Sequence, residues 1–129
     1  MNIDYFATDE ALKIDPSGES IKVCLPITLE GYSAHYRKRA EEGVITMEQA
    51  EKLITQLQGL RSANLDAIFE NTKNEIVDKI AYYERNTRVV DLSDELLTFQ
   101  VNGSRGVQDT IDKALSRGKS VRIRKYVIT

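Results

Sequence analysis

Apolar and polar residues alternate strictly between positions 21 and 29, where Ile21, Val23, Leu25, Ile27 and Leu29 are separated by Lys22, Cys24, Pro26 and Thr28. A period of two predicts a strand with one buried face, and it places Cys24 on the opposite, partly exposed side. Pro26 has no N–H to give, which puts that strand at an edge or a bulge. Just upstream, Asp15-Pro16-Ser17-Gly18 has the composition of a type I turn, so residues 11–31 read as a hairpin.

The pattern then changes period. "YSAHYRKRAEEG" reads as a short helix with Ser33 as its N-cap and Gly43 just past its end. Thr46 and Gln49 fit a capping box. From there Ala50, Leu53, Ile54, Leu57, Leu60, Ala67, Ile68, Ile76, Ile80 and Tyr83 keep three-and-four spacing, with a slip across 59–64. This predicts a long helix, or a helical hairpin re-capped at Ser62, over about 46–85. Unbroken, it would span about 55–60 Å. One small domain does not cover a helix of that length, so Leu53, Leu57, Leu60, Ile68, Ile76 and Ile80 are read as a homo-oligomer interface. Packing inside the monomer is the plainer alternative.

Toward the C-terminus, "TRVVDL" at 87–92 reads as a short strand and "SDEL" as a turn of helix. Residues 96–101 form a strand in which Leu97, Phe99 and Val101 oppose Leu96, Thr98 and Gln100. Val107, Ile111, Ala114 and Leu115 mark a helix over about 104–117, stopped by Gly118. Residues 119–128 make the last strand, with Val121, Ile123 and Val127 on one face and Arg122, Arg124 and Tyr126 on the other. These last three elements resemble a compact β-α-β unit with a parallel crossover. The expected architecture is a single α+β domain over 1–129, a small sheet of about four to five strands packed against helices.

Composition narrows the functional classes. The chain has 129 residues, 41% hydrophobic and 29% charged, with a formal net charge of −2, which argues against a bulk nucleic-acid binder or a polybasic membrane binder. No run approaches a membrane span, and the acidic N-terminus is not that of a signal peptide, so a cytoplasmic location is expected. Cys24 and His35 stand alone in their types. An intrachain disulfide and the usual zinc ligand sets are therefore excluded, and neither metal nor cofactor is assigned.

Charge is distributed unevenly. Over 101–129 the bases are Arg105, Lys113, Arg117, Lys119, Arg122, Arg124 and Lys125, against only Asp109 and Asp112. The glycine-rich stretch "VNGSRG" precedes the helix of the β-α-β unit, where free N–H groups and the helix dipole favour an anion. Gly103 and Gly106 permit close approach of the backbone, Ser104 is a cap or donor, and Arg105 supplies a bidentate fork for phosphate. Arg122 and Arg124 join this anion site if the last strand pairs antiparallel or if the site lies at a subunit boundary. A parallel strand instead sets its early residues near the opposite edge. "YSAHYRKR" interleaves Tyr32, His35 and Tyr36 with Arg37, Lys38 and Arg39, and Tyr36 with Arg39 from a neighbouring chain could stack on a base and hold its phosphate.

Three motifs fail their own tests. "GKS" at 118–120 lacks the first glycine of a P-loop, the dinucleotide fingerprint lacks its first close glycine pair, and "GSRG" follows a strand where a nucleic-acid-clamping GxxG loop lies between helices. Asp109 and Asp112, three apart, suit the dipole at a helix start better than acid–base work. The leading expectation is a non-enzymatic cytoplasmic binding protein, a homo-oligomer, that captures or senses a small phosphorylated ligand such as a nucleotide. The alternative is a protein-interaction module, a small inhibitor or adaptor, docking on an acidic partner through the helical stripe or the basic C-terminal strand. A carboxylate-based metal enzyme is a minor third reading.

Overall fold

The computed structural model describes residues 3–129. Over these residues it is α+β, with five α-helices and two small two-stranded parallel sheets. The single sheet of about four to five strands is thus corrected to two separate pairs. Contacts group into two compact units, Met1–Val77 and Asp78–Thr129, each with its own core.

The first unit contains α1 (Ile3–Ile14), β1 (Val23–Cys24), α2 (Leu29–Glu41), α3 (Met47–Ala63) and β2 (Ile68–Phe69). The expected 11–31 hairpin is absent. Residues 11–14 complete α1, Asp15–Gly18 make the turn, and only Val23 and Cys24 pair, in parallel, with Ile68 and Phe69. The alternation from Ile21 to Leu29 does not track burial, because Cys24, Leu25, Pro26 and Ile27 are all buried. The segment runs through a core and is enclosed on both sides, which also overturns the exposed placement of Cys24.

Helix α2 starts at Leu29, four residues before the expected cap. Thr28 holds extended backbone and its hydroxyl accepts from the Gly31 N–H at 3.1 Å. Ser33 is buried instead, donating to the Leu29 carbonyl one turn back at 2.8 Å. The helix ends at Glu41, and Gly43 follows in the left-handed region. The Thr46–Gln49 capping box forms with both of its bonds at 3.0 Å.

The long element at 46–85 is neither one helix nor a helical hairpin. Asn64 stops α3: its backbone is extended, its side-chain oxygen accepts from the Asp66 N–H at 3.1 Å, and its amide donates to the Gly18 carbonyl at 3.1 Å. Gly18 sits at φ +71°, and a Cβ there would lie 2.7 Å from Leu60 Cδ1. A 3-10 turn and β2 follow before the next helix, so the three-and-four spacing of Ala67, Ile68, Ile76 and Ile80 is coincidental. Leu53, Leu57, Leu60 and Ile68 pack with Leu25, Ile27, Leu29 and Tyr32 into the core of this unit.

The second unit contains α4 (Lys79–Leu92), β3 (Glu95–Val101), α5 (Arg105–Ser116) and β4 (Ser120–Tyr126). Asp78 caps α4, accepting from the Ala81 N–H at 2.8 Å. Residues 87–92 belong to this helix, not to a strand, because Val90 is fully buried on its inner face. "SDEL" opens β3 and makes no helical turn. The β-α-β unit is present as expected. Strands β3 and β4 run parallel, in register from Glu95 opposite Ser120 to Val101 opposite Tyr126. Leu96, Thr98 and Gln100 are the buried set of β3, and Val90, Leu96 and Ala114 form the small core with Val121 against it. Gln100 holds the start of α5, donating to Ser104 O at 3.1 Å and Gln108 Oε1 at 3.0 Å.

Candidate functional site

Two consecutive left-handed residues, Asn102 (φ 51°) and Gly103 (φ 67°), turn the chain from β3 into α5. The Asn102 side chain reaches across and pairs with Ile128, donating to its carbonyl at 3.0 Å and accepting from its N–H at 2.7 Å. Ser104 is the N-cap residue, yet its hydroxyl makes no capping bond. The caps of α2, α3 and α4 are all filled by side-chain oxygens. At α5, then, the N–H groups of the first turn lack a side-chain acceptor and carry the positive end of the helix dipole.

A cleft of about 400 Å³ opens beside this turn, lined by Lys79, Tyr82, Tyr83, Arg85, Asn86, Arg105 and Gly106. Its wall is the first two turns of α4. Lys79 Nζ stands 5.3 Å over the Tyr83 ring and the Arg85 guanidinium 5.4 Å over that of Tyr82. Asn86, buried, ties the two helices together: its amide donates to the Gly106 carbonyl at 3.1 Å and Asp109 Oδ2 at 3.2 Å, and its oxygen accepts from Arg85 Nε at 3.1 Å. Asp109 is also paired with Lys113 at 2.8 Å, so its charge is answered within the fold. Among the described residues no carboxylate or imidazole lines the cleft.

The seven basic residues of 101–129 fall into two groups. Lys113 pairs with Asp109, Arg117 with Asp91 at 2.9 Å, and Lys119 donates to the Val90 and Ser93 carbonyls at 2.6 and 2.5 Å. Arg105, Arg122, Arg124 and Lys125 have no ion pair among the described residues. The structure brings Arg105 and Gly106 into the cleft, with Gly103 and Ser104 in the turn that leads to it. It does not bring Arg122 and Arg124 there. They stand opposite Leu97 and Phe99, on the sheet face turned away from the buried set of Leu96, Thr98 and Gln100.

Tyr36 and Arg39 lie on α2 in the first unit. Tyr36 is half-buried on that unit's core, its hydroxyl 3.1 Å from that of Tyr32 and the two rings packed edge-on at 4.8 Å. Arg39 is exposed, and nearby Arg37 pairs with Glu51 at 3.0 Å. Burial, together with the positive charge of Arg39, holds the His35 imidazole below its ordinary range. Of the six residues expected at an oligomer interface, only Ile76 and Ile80 are exposed, at 66% and 68%. Among the described residues no cluster of three or more His, Cys, Asp or Glu side chains is placed to hold a metal, and no helix is long and apolar enough to cross a membrane.

Sequence reasoning passed over Lys79, Tyr82, Tyr83 and Arg85. Their signal was present in "DKIAYYERNTR", which interleaves tyrosines with cations much as "YSAHYRKR" does. It was hidden because Ile80 and Tyr83 had been absorbed into the supposed 46–85 stripe. Comparison of the chain with protein-family models, with curated proteins and with solved structures finds no match.

Proposed function

We propose that this protein is a non-enzymatic binding protein that captures a small phosphorylated ligand, such as a nucleotide, in the cleft at the start of α5. One observation carries the reading: the uncapped first turn of α5 opens into a 400 Å³ cleft where Arg105 and Lys79 converge with two tyrosine rings. That volume falls in the range of small-molecule sites, about 300–1,000 Å³. Phosphate oxygens would take the free N–H groups of α5 and the fork of Arg105. Tyr82 and Tyr83, each already carrying a cation over its ring, would give a base or sugar an apolar wall. The cleft holds positive charge and stacking surface without a carboxylate or imidazole base, as capture without turnover requires.

The test is a thermal-shift titration with inorganic phosphate, nucleoside mono- and diphosphates and a nucleotide sugar, on wild type, Arg105→Glu and Arg124→Glu. A bound ligand in hundredfold excess over its dissociation constant stabilises by about 2.7 kcal/mol. The reading expects a rise in midpoint for wild type and Arg124→Glu that is lost in Arg105→Glu. No rise with any of these compounds, or a rise that survives Arg105→Glu, would sink it.

A further inference from the structure

Strands β3 and β4 make an unfinished sheet. Parallel sheets occur almost only with both faces covered, and most sheets have about four to six strands. Here β4 has one neighbour, and no strand among the described residues pairs with its outer edge. From Arg122 to Tyr126 every residue is exposed, and Val127 and Ile128 continue as 84% and 65% exposed apolar side chains. On the face away from the buried set, Leu97 is 57% exposed beside Arg122.

The direction of the free backbone groups follows from one bond. The Tyr126 carbonyl accepts from the Asn102 N–H at 2.8 Å, so Tyr126 turns its polar backbone toward β3. Alternation then turns Ser120, Arg122 and Arg124 the same way and leaves Val121, Ile123 and Lys125 pointing outward with their N–H and carbonyl groups unspent. Long, uncovered edges of this kind are what sheet proteins ordinarily block.

We propose that the outer edge of β4 accepts an extended acidic segment of another protein as a third strand. Charge selects the occupant. Arg122, Arg124 and Lys125 have no carboxylate partner within the described fold, whereas Lys113, Arg117 and Lys119 are all engaged. A second copy of β4 would set arginines against arginines, and like charges on neighbouring strands repel. The incoming strand would alternate. Aspartate or glutamate would face Arg122 and Arg124, and small apolar residues would cover Val121 and Ile123 on the side of α5. Main-chain bonds would give affinity and the alternation specificity, the mode known as strand addition. This surface shares no residue with the cleft at α5.

The probe is a capped eight-residue peptide alternating glutamate with valine or threonine, titrated into the full chain and followed by amide hydrogen exchange in NMR. A peptide of the same composition in block order, a lysine-for-glutamate peptide and a short oligouridine serve as comparisons. The proposal expects slowed exchange at the amides of Val121, Ile123 and Lys125 on binding the alternating peptide. It also expects binding about tenfold weaker in Arg122→Glu/Arg124→Glu and lost in Lys125→Pro, which removes one outward N–H. No binding, binding without protection of those three amides, or equal binding of the block-order peptide overturns it. So does tighter binding of oligouridine, and so does concentration-dependent protection of the same amides without peptide, which would assign the edge to a second copy. Should Lys125→Pro not fold, the exchange pattern and the double charge reversal still decide.

Discussion

Lys119 supplies an energetic prediction that can be worked from distances. Helix α4 has no basic residue in its own last turn. Lys119, arriving 27 positions after Leu92 at the head of β4, does that work: its ammonium donates to Val90 O at 2.6 Å, Ser93 O at 2.5 Å and Asp91 O at 3.3 Å. Replacing it by methionine keeps the length of the side chain and removes the charge. A hydrogen bond from a charged group contributes about 1.5–3 kcal/mol. Not all three are lost in full. Val90 O also accepts from the Ser93 N–H at 3.2 Å, and Asp91 is exposed, so water replaces the ammonium there. One full bond, at Ser93, remains to be counted, together with about 0.3–1 kcal/mol from the helix dipole. Lys119→Met should therefore destabilise the protein by about 2–4 kcal/mol. Urea denaturation followed by far-UV circular dichroism reads this as a lower midpoint at unchanged slope. Lys125→Met is the control, because Lys125 is exposed and without an ion pair among the described residues, and such changes stay within about 0.5 kcal/mol. If the two variants unfold at the same urea concentration, the ammonium does not hold the end of α4 and the reasoning fails.

Two glycines should respond in opposite directions. Gly18→Ala places a Cβ 2.7 Å from Leu60 Cδ1 on backbone at φ +71°, and about 2 kcal/mol or more of stability should be lost by the same assay. Gly59→Ala, inside α3 with nothing within 4 Å of the added carbon, should gain about 0.5–1 kcal/mol. Burial and Arg39 hold the His35 pKa below its ordinary 6.5, so near that pH the unfolded chain binds more protons than the folded one. This contribution to stability is complete above pH 6.5 and declines as pH falls from 6.5 through the lower folded value. The urea midpoint of wild type should drop over that interval more than that of His35→Gln. An NMR titration placing the His35 pKa above 6.5 would refute it.

The β3-α5-β4 part of the second unit was legible because its signals are local. The run Leu96 to Val101, the "NGSRG" turn, the Val107–Ile111–Ala114 face and the basic strand each describe one element, and each element is long enough to show its period. Which face of β3 is buried was not legible, since Thr98 and Gln100 are polar and are buried through hydrogen bonds, Gln100 to Ser104 and Gln108. The first unit was harder for a physical reason. Its strands are two residues each, too short for any period, and the alternation at 21–29 crosses a stretch, Cys24 to Ile27, in which every residue is buried. The 46–85 pattern was misread because Asn64 and Asp78, the residues that end one helix and begin another, are polar singletons in a stretch whose apolar residues keep time by chance. Of the candidate site, Arg105 and Gly106 could be named from the turn. The α4 wall could not, because its nearness to that turn depends on packing through Asn86.

The two parallel pairings also set an order of assembly. Pairing Val23 with Ile68 closes a loop of about 45 residues, while pairing Glu95 with Ser120 closes one of about 25. Loop entropy grows only with the logarithm of length, so this difference amounts to about 0.5 kcal/mol, little more than a twofold bias in closure. What each closure secures differs far more. The longer loop gains a two-residue ladder, and the shorter one gains seven residues in register with a helix laid across them. The β3-α5-β4 unit is thus expected to close first, with Val90 of α4 completing its core. The two-residue β1–β2 bridge is expected to form later, once α2 and α3 pack, and pulsed hydrogen exchange at Val23 and Ile68 checks that order.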